Sequence, residues 1–576
     1  MSQPKSTVPE TKYEARRFDL PCIAEPGVVY TRSWVTELIL DLAGYDPNEN
    51  LVDSVAVEPA CGDGGFLEPM IRRLSSSCRI QNRPLKDCAA SLLAFDADGE
   101  AVGKSRERAE LVLADCGWDR SESREMAWRW IREADFLLDP ELDLIALGGG
   151  IDFAIGNPPY IRLESIDDRV AEVYRKRYGT MSGRADLYVG FFERALGMLA
   201  PGGVCGFICA DRWMLNQYGS HLRKLITRGG FSVEAVVEMH RADAFQDEVL
   251  AYPAITTIRR TEVQSRVLVA QMEQATEYSV NELARAARRV RQASHDAVEN
   301  DTQAAAINGL NYVVVDEWFE GSAPWPSASP KRLSLLKRLE SEFPSLEDGS
   351  TDTRVSIGVA TGADRIFLTR NHDLVERDRL LPIVLAGDTM TGSLEWSRHY
   401  LVNPWQPDGS LVDLGHYPLL RRYFDEHKGI LEGRHVAKKS PDRWYKTIDR
   451  VDYALISKPK LLIPDIKNVA HPVLDEGGYY PHHNLYHVTS GIWDLKVLGG
   501  LLLSKVGQFF IECYAVRMSG GYLRFQAQYL RRIRVPHPRD ISVGQAAGLR
   551  QAFEERDIVR ATAVALEVYG IDRIPE

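Results

Sequence analysis

"SVAVEPACGDGGFL", residues 54–67, settles what kind of fold this chain has. A short apolar strand runs into Glu58 and Pro59, then into a loop carrying Gly62, Gly64 and Gly65, and Phe66 and Leu67 open a helical pattern. Strand, glycine-rich turn and helix make the first unit of a doubly wound sheet, whose ligands gather outside the carboxyl ends of the strands. Reading outward, "SLLAF" (91–95), "IDFAI" (151–155), "VCGFIC" (204–209), "VEAVVEM" (233–239) and "AITTI" (254–258) repeat the strand signal. Another strand region ends in "EADFLLD" (133–139), while residues 99–115 and 186–203 read as helices. That alternation predicts an α/β, mostly parallel, seven-stranded Rossmann-like sheet.

At 576 residues the chain is too long for one ordinary core. The pattern divides into an α/β domain over 1–275, a helical connector and Pro/Ser linker over 276–330, and a loop-rich mixed α+β domain over 331–540. A single closing helix follows over 541–576. The hydrophobic content of 44% and charged content of 26% are those of a globular protein. Eight cysteines without a CxxC pair predict neither a zinc site nor a disulfide framework, and hence a reduced, cytoplasmic protein. The N-terminus has no apolar stretch of the signal-peptide kind, and "VLGGLLLSKVGQFFI" (497–511) reads as one core helix because it is short and carries Lys505. A net charge of −11 means that any attraction to nucleic acid must be local.

The strand tips carry chemistry. Asp96 ends the second strand, where a carboxylate commonly accepts both hydroxyls of a ribose. Asp135 and Phe136 end the third, an acid and a ring that suit a purine, so the cofactor end fits an adenosine-containing ligand. A P-loop is not supported, because GxxxxGK[ST] is missing from this loop. The fourth strand ends in "DFAIGNPPYIRLE" (152–164). Asn157 offers a side-chain oxygen and Pro158 a carbonyl held by its ring, two fixed acceptors of the kind an exocyclic amino group requires. Accepting both N–H bonds draws the nitrogen toward tetrahedral geometry and stabilises charge that develops in the transition state. Tyr160 provides a stacking face for a base taken out of its helix.

"GVVYTRSWV" (27–35), EPACG, an acid at the second strand tip, ADF and NPPY, in that order, resemble the gamma-class (TaqI-like) N6-adenine DNA methyltransferases of type II restriction-modification systems. The resemblance implies S-adenosylmethionine as methyl donor and double-stranded DNA as substrate. It implies that Thr31 and Glu58, Pro59, Ala60, Cys61 and Gly62 hold the methionine moiety, Asp96 the ribose, and Asp135 with Phe136 the adenine of the cofactor. Pro159 would border the cofactor, with Asn157, Pro158 and Tyr160 on the target adenine. "AFQDEVLAYPAITTI" (244–258) resembles the motif that gives a second ring to the flipped base, with Phe245 as its match. Arg32 departs from the family's pattern, which has proline there. Cys61 reads as a packed loop residue, since direct transfer to an amine needs no covalent intermediate.

Loosely, "SIGVATGADRIFL" (356–368), "KPKLLIPDI" (458–466) and "GGYLRFQAQYLRRIRVP" (520–536) resemble the family's target-recognition half. Between Arg434 and Lys467 nine Lys/Arg stand against four Asp/Glu, and from Arg517 to Arg534 there are five arginines and no acid. These local reversals of an acidic chain make Lys438, Lys439, Arg443, Trp444, Arg524, Arg531 and Arg532 the expected DNA contacts. His471, His482, His483 and His487 share one loop region, but no Cys or acid stands at ligand spacing, so no metal is expected. A monomer, with a cognate restriction endonuclease as functional partner, completes the expectation. The alternatives are a methyltransferase acting on RNA or a protein glutamine, and a combined nuclease-methyltransferase, for which PD at 441–442 and DIK at 465–467 loosely fit the nuclease pattern.

Overall fold

The computed structural model describes residues 29–246, 252–263, 266–292, 305–307, 309–315, 321–326, 330–514 and 522–575. They divide into two compact units, residues 1–210 with 243–261 and residues 211–242 with 262–576. All seven expected strands form: β1 (Ala56–Glu58), β2 (Leu92–Asp96), β3 (Ile131–Glu133), β4 (Ile151–Gly156), β5 (Leu199–Ala210), β6 (Phe231–Glu238) and β7 (Pro253–Arg260).

In the first unit the order is β3-β2-β1-β4-β5-β7, parallel throughout except for β7, which runs antiparallel to β5. The chain steps outward from β1 to β2 and β3, then returns to place β4 on the other flank of β1. Ala56 is therefore paired with both Leu92 and Phe153. The crevice of a doubly wound sheet opens at such a reversal. Helix α1 (Ser33–Ala43) precedes the sheet, α2 (Leu67–Ile80) follows the glycine loop, and α3 (Gly99–Asp115) starts where Asp98 accepts the Glu100 N–H as its N-cap. The helix expected over 186–203 spans only Tyr188–Met198. Leu199 already begins β5, and Pro201–Gly203 lies inside the strand, close to an irregularity in its pairing with β4.

In the second unit, β6 pairs in parallel with β8 (Val267–Met272), and β8 is antiparallel to β10 (Leu310–Val315), which also pairs with β9 (Ala305–Ile307). Trp325, within the expected linker, is buried edge-on against Trp213 with ring centroids 4.9 Å apart. Two small sheets follow. One orders Arg354–Ile357, Leu485–Thr489, Lys460–Pro464 and Val473–Asp475; the other orders Leu368–Thr369, His399–Val402, Leu380–Val384 and Tyr480–Pro481. Phe367, Leu420, Phe424 and Leu431 are fully buried in one cluster with Ile383, Leu401 and Val402 of the second of these sheets, each contributing roughly 1.5–3 kcal/mol by leaving water. Lys460 and Asp475 form a buried ion pair at 2.7 Å, and the Lys460 ammonium also donates to the Leu455 and Lys458 carbonyls.

Two single helices expected from apolar spacing are each broken in two. The closing segment is Val543–Glu555 and Ile558–Val568, because Arg556 takes a left-handed conformation (φ 58°) and Asp557 caps the next helix through the Arg560 N–H. The stretch at 497–511 belongs to Leu495–Leu503 and Lys505–Tyr514, bent by 62° at Ser504, whose hydroxyl bonds both the Leu501 carbonyl and the Gly507 N–H. Among the described residues no single helix is long and apolar enough to cross a membrane.

Candidate active site at the switch point of the sheet

The ends of β1, β2 and β4 bring the predicted cofactor residues together. Glu58 ends β1 almost fully buried, and its Oε2 has no hydrogen-bond partner. Burial, with Asp96 and Asp63 nearby, pushes its carboxyl well above the ordinary range. A partnerless buried carboxyl is costly unless something cationic or hydrogen-bonding answers it. Pro59 and Ala60 lead to Cys61, whose N–H donates to the Phe95 carbonyl at 2.8 Å. The Cys61 thiol is buried and burial raises its pKa strongly, the environment of a packed thiol. Gly62 and Gly64 have positive φ (52° and 87°), which the sharp loop requires. Asp96 then ties this loop to β2, accepting the Gly62 N–H at 2.8 Å and the Asp98 N–H at 3.0 Å.

At the third tip, Asp135 accepts the Tyr174 hydroxyl at 2.7 Å and the Leu137 N–H at 2.8 Å; burial still raises its pKa. The Phe136 ring points into the core, stacked on Phe191 at 5.3 Å with the Arg194 guanidinium 5.7 Å from its centre. What Phe136 presents at the surface of the sheet is therefore its backbone.

Asn157 follows β4 and is anchored through its side-chain amide. Its Nδ2 donates to the Val29 carbonyl at 2.9 Å and to the Thr31 hydroxyl at 3.1 Å, which fixes the amide's orientation. Its Oδ1 is buried with no partner. An amide whose donors are both used and whose acceptor is open is prepared for a donor from outside. Beside it lie Pro158 and Pro159, then Tyr160, whose hydroxyl is also buried without a partner. The Tyr160 ring meets Phe245 edge-on (6.0 Å, 85°) and Tyr188 at 6.3 Å. Phe245, singled out in the sequence, is thus beside Tyr160, and so is Tyr188, which the sequence did not single out; its hydroxyl bonds Asp186 at 3.1 Å, and "DLYVGFF" reads first as a core helix.

Thr31 is thus a neighbour of Asn157, an isolated bridge pairs it with Phe245, and it is the preceding Tyr30 ring that lies against Gly62 of the loop. Arg32 has a reason to be no proline. Its N–H donates to the Ala244 carbonyl at 3.0 Å, a bond proline cannot make, and its guanidinium pairs with Asp243 at 2.8 Å.

In the second unit the expected DNA residues fall into two groups. Lys438, Lys439 and Arg443 are exposed at the surface. Arg524 is paired with Asp465, Arg531 bridges Glu347 and the Val355 carbonyl, and Arg532 lies 4.4 Å over the Tyr514 ring and 3.6 Å from Glu340. Trp444 packs against Phe424 and Tyr445 with Lys428 over its ring. Phe525 and Tyr529, which alternate with the arginines in sequence, are core residues. His471 bonds the Thr389 carbonyl, and burial, with Lys460 nearby, holds the pKa of His487 down to about 4.

Comparison with known proteins agrees with this geometry. Residues 103–245 match the Eco57I restriction-modification methylase family, and residues 420–535 match the TaqI-like C-terminal specificity domain. The type II methyltransferase M.PaeR7I of Pseudomonas aeruginosa is 41% identical over 95% of this chain and 92% of its own length. M.BstVI of Geobacillus stearothermophilus is 38% identical over 95% and 96%. Among solved structures, the DNA-bound type IIL restriction-modification enzyme MmeI shares the fold, with 12% identity, a TM-score of 0.54, and coverage of 94% of this chain and 74% of that one. A relative this similar along nearly its whole length fixes the family: the chain belongs to the DNA methyltransferases of type II restriction-modification systems.

Proposed function

We propose that this protein methylates the exocyclic N6 of adenine in double-stranded DNA, at a specific site, with S-adenosylmethionine as donor. The observation that carries the reading is the locked Asn157 amide, with both donor bonds made and its Oδ1 open beside the Tyr160, Phe245 and Tyr188 rings. An amine needs acceptors, and this end of β4 offers Oδ1 together with the Pro158 carbonyl.

The cofactor pocket fits its group by the chemistry of its donors. Glu58 provides a buried carboxyl suited to an ammonium, Asp96 a carboxylate at the ribose position, and Asp135 with the backbone of Phe136 the adenine end. When bound, S-adenosylmethionine supplies an electrophilic methyl group. The chain's residues do the rest. Tyr160 and Phe245 hold the extruded base by its faces and edges. Asn157 Oδ1 and the Pro158 carbonyl accept the amine's two N–H bonds, which localises the nitrogen lone pair and stabilises the positive charge that builds on it. The closed ring box and buried amide keep water from competing as an acceptor.

The catalytic domain is assigned to residues 1–275, the connector to 276–330, the target-recognition domain to 331–540 and the closing helices to 541–576. The protein acts as a monomer and protects DNA from a cognate restriction endonuclease. The test is transfer of tritiated methyl into DNA, RNA and protein, followed by nucleoside analysis of the DNA. Label in N6-methyladenine supports the reading. Label in a methylated cytosine, or only in RNA or a protein glutamine, overturns it.

A further inference from the structure

In the second unit, two segments separated by 118 positions in sequence are held side by side. The Val359 N–H donates to the Pro481 carbonyl at 2.9 Å, the His483 N–H returns to the Val359 carbonyl at 3.1 Å, and the Gly358 N–H bonds the Leu485 carbonyl at 2.9 Å. Approach is so close at Gly358 that a Cβ there would stand 2.2 Å from the His482 carbonyl oxygen, so only glycine fits. This backbone frame carries three side chains to one point: Asp364, His482 and His483, with ligand atoms all within 4.8 Å of one another. His482 Nε2 lies 3.2 Å from Asp364 Oδ2 and 2.9 Å from His483 Nδ1.

We propose that Asp364, His482 and His483 bind a first-row divalent cation, Zn²⁺ being the best match, which clasps the 358–367 loop to the 481–485 segment of the recognition domain. An ordinary hydrogen-bond chain explains the arrangement less well. His482 Nε2 carries at most one hydrogen, yet it faces two acceptor-capable atoms at once, and its other nitrogen, Nδ1, is buried without a partner. Three lone-pair atoms converging at these separations match ligands set about 2.0–2.2 Å from one ion. The donor set is mixed imidazole and carboxylate, which suits zinc and its first-row neighbours over the all-oxygen preference of Mg²⁺ and Ca²⁺. Nothing in the local sequence betrays the site, since its acid stands far upstream of the histidine pair. With three protein ligands, the remaining position is left to water.

The test uses the full chain, stripped with chelator, dialysed and titrated with ZnCl₂ in a calorimeter, with thermal unfolding read in parallel. One equivalent should bind, and the midpoint of unfolding should rise with zinc. His483→Ala and Asp364→Asn, which change only exposed or half-buried side chains, should each weaken binding by at least the roughly 10–100-fold that loss of an outer-shell partner costs, and remove the thermal shift. His482 is buried, so His482→Ala is not relied upon. Failure of the wild type to bind a stoichiometric ion overturns the proposal. So does binding that both variants retain at full affinity, which would place the ion elsewhere.

Discussion

Replacing Asn157 with aspartate exchanges one NH₂ group for an oxygen and keeps everything else, so it asks directly what the anchored half of the amide does. In the wild type Nδ2 donates to the Val29 carbonyl and to the Thr31 hydroxyl. The aspartate oxygen that takes its place meets Val29 as acceptor against acceptor. Thr31 can rotate its hydroxyl and donate instead, but the carbonyl cannot. One buried acceptor left facing another costs about 1–3 kcal/mol. Charged against the competent orientation, that is roughly a 5- to 150-fold loss in turnover, at tenfold per 1.4 kcal/mol. Asn157→Ala, which removes Oδ1 altogether, should lose on the order of 100- to 1000-fold, the scale of an oxyanion-hole partner. The aspartate should also create a pH dependence. Burial and the Val29 carbonyl favour its neutral form, in which the acid O–H donates where Nδ2 did. Turnover of Asn157→Asp should therefore rise as pH falls through the raised pKa and decline as pH rises. Single-turnover transfer of labelled methyl into DNA across pH reads this, with calorimetric binding of S-adenosylmethionine as the check on folding. An aspartate variant that turns over at the wild-type rate with a flat pH profile would refute the argument from anchoring.

Thr31→Val should lower turnover about 5- to 30-fold through the lost Nδ2 acceptor, with Thr31→Ser restoring it; a change confined to the KM for S-adenosylmethionine would instead make Thr31 purely a cofactor contact. Asp96→Ala should weaken cofactor binding by about 1–3 kcal/mol in calorimetry, since both its oxygens organise the glycine loop and the proposed function gives it the ribose; unchanged affinity removes it from the site. Burial pushes the Glu58 carboxyl well above its ordinary range, so an ammonium ligand that favours its ionised form should bind with release of a proton, and cofactor affinity should rise with pH. Calorimetry in buffers of different ionisation enthalpy should show that proton release, and Glu58→Gln should abolish it. The double change Lys438→Ala with Lys439→Ala should lower the salt slope of DNA binding by up to about two, while Arg524→Ala, which strips Asp465 of its partner, should cost stability first; equal slopes for wild type and double variant would clear these lysines of phosphate contact.

The catalytic half was legible because its signals are local. Seven apolar strands, the glycine loop and the acids at the strand tips each show within a few residues, and helix 99–115 falls where its capping Asp98 puts it. Pairings across distance were hidden. Nothing in "GVVYT" says that Val29 and Thr31 hold Asn157, 126 and more positions away, nor that Arg32 replaces proline to bond Ala244. The recognition half was hard to read for a related reason. Its arginines and rings alternate as a nucleic-acid surface would, yet Phe525 and Tyr529 are core residues and Arg524 and Arg531 meet acids contributed by distant segments. Apolar spacing likewise could not foresee the breaks at Ser504 and Arg556, which hydroxyl capping and a left-handed residue produce.

The residue after Asn157 bears on how long a molecule of this enzyme stays competent. Asparagine ages in proteins when the backbone nitrogen of the next residue attacks the side-chain carbonyl, closes a succinimide and expels ammonia, leaving aspartate or its isomer. That attack needs an N–H to lose, and the nitrogen of Pro158 is tertiary. The amide that must stay an amide, because an oxygen in place of Nδ2 would face the Val29 carbonyl, is followed by the one amino acid that blocks its spontaneous conversion. Asn-Pro gives the site chemical durability along with its rigid acceptors.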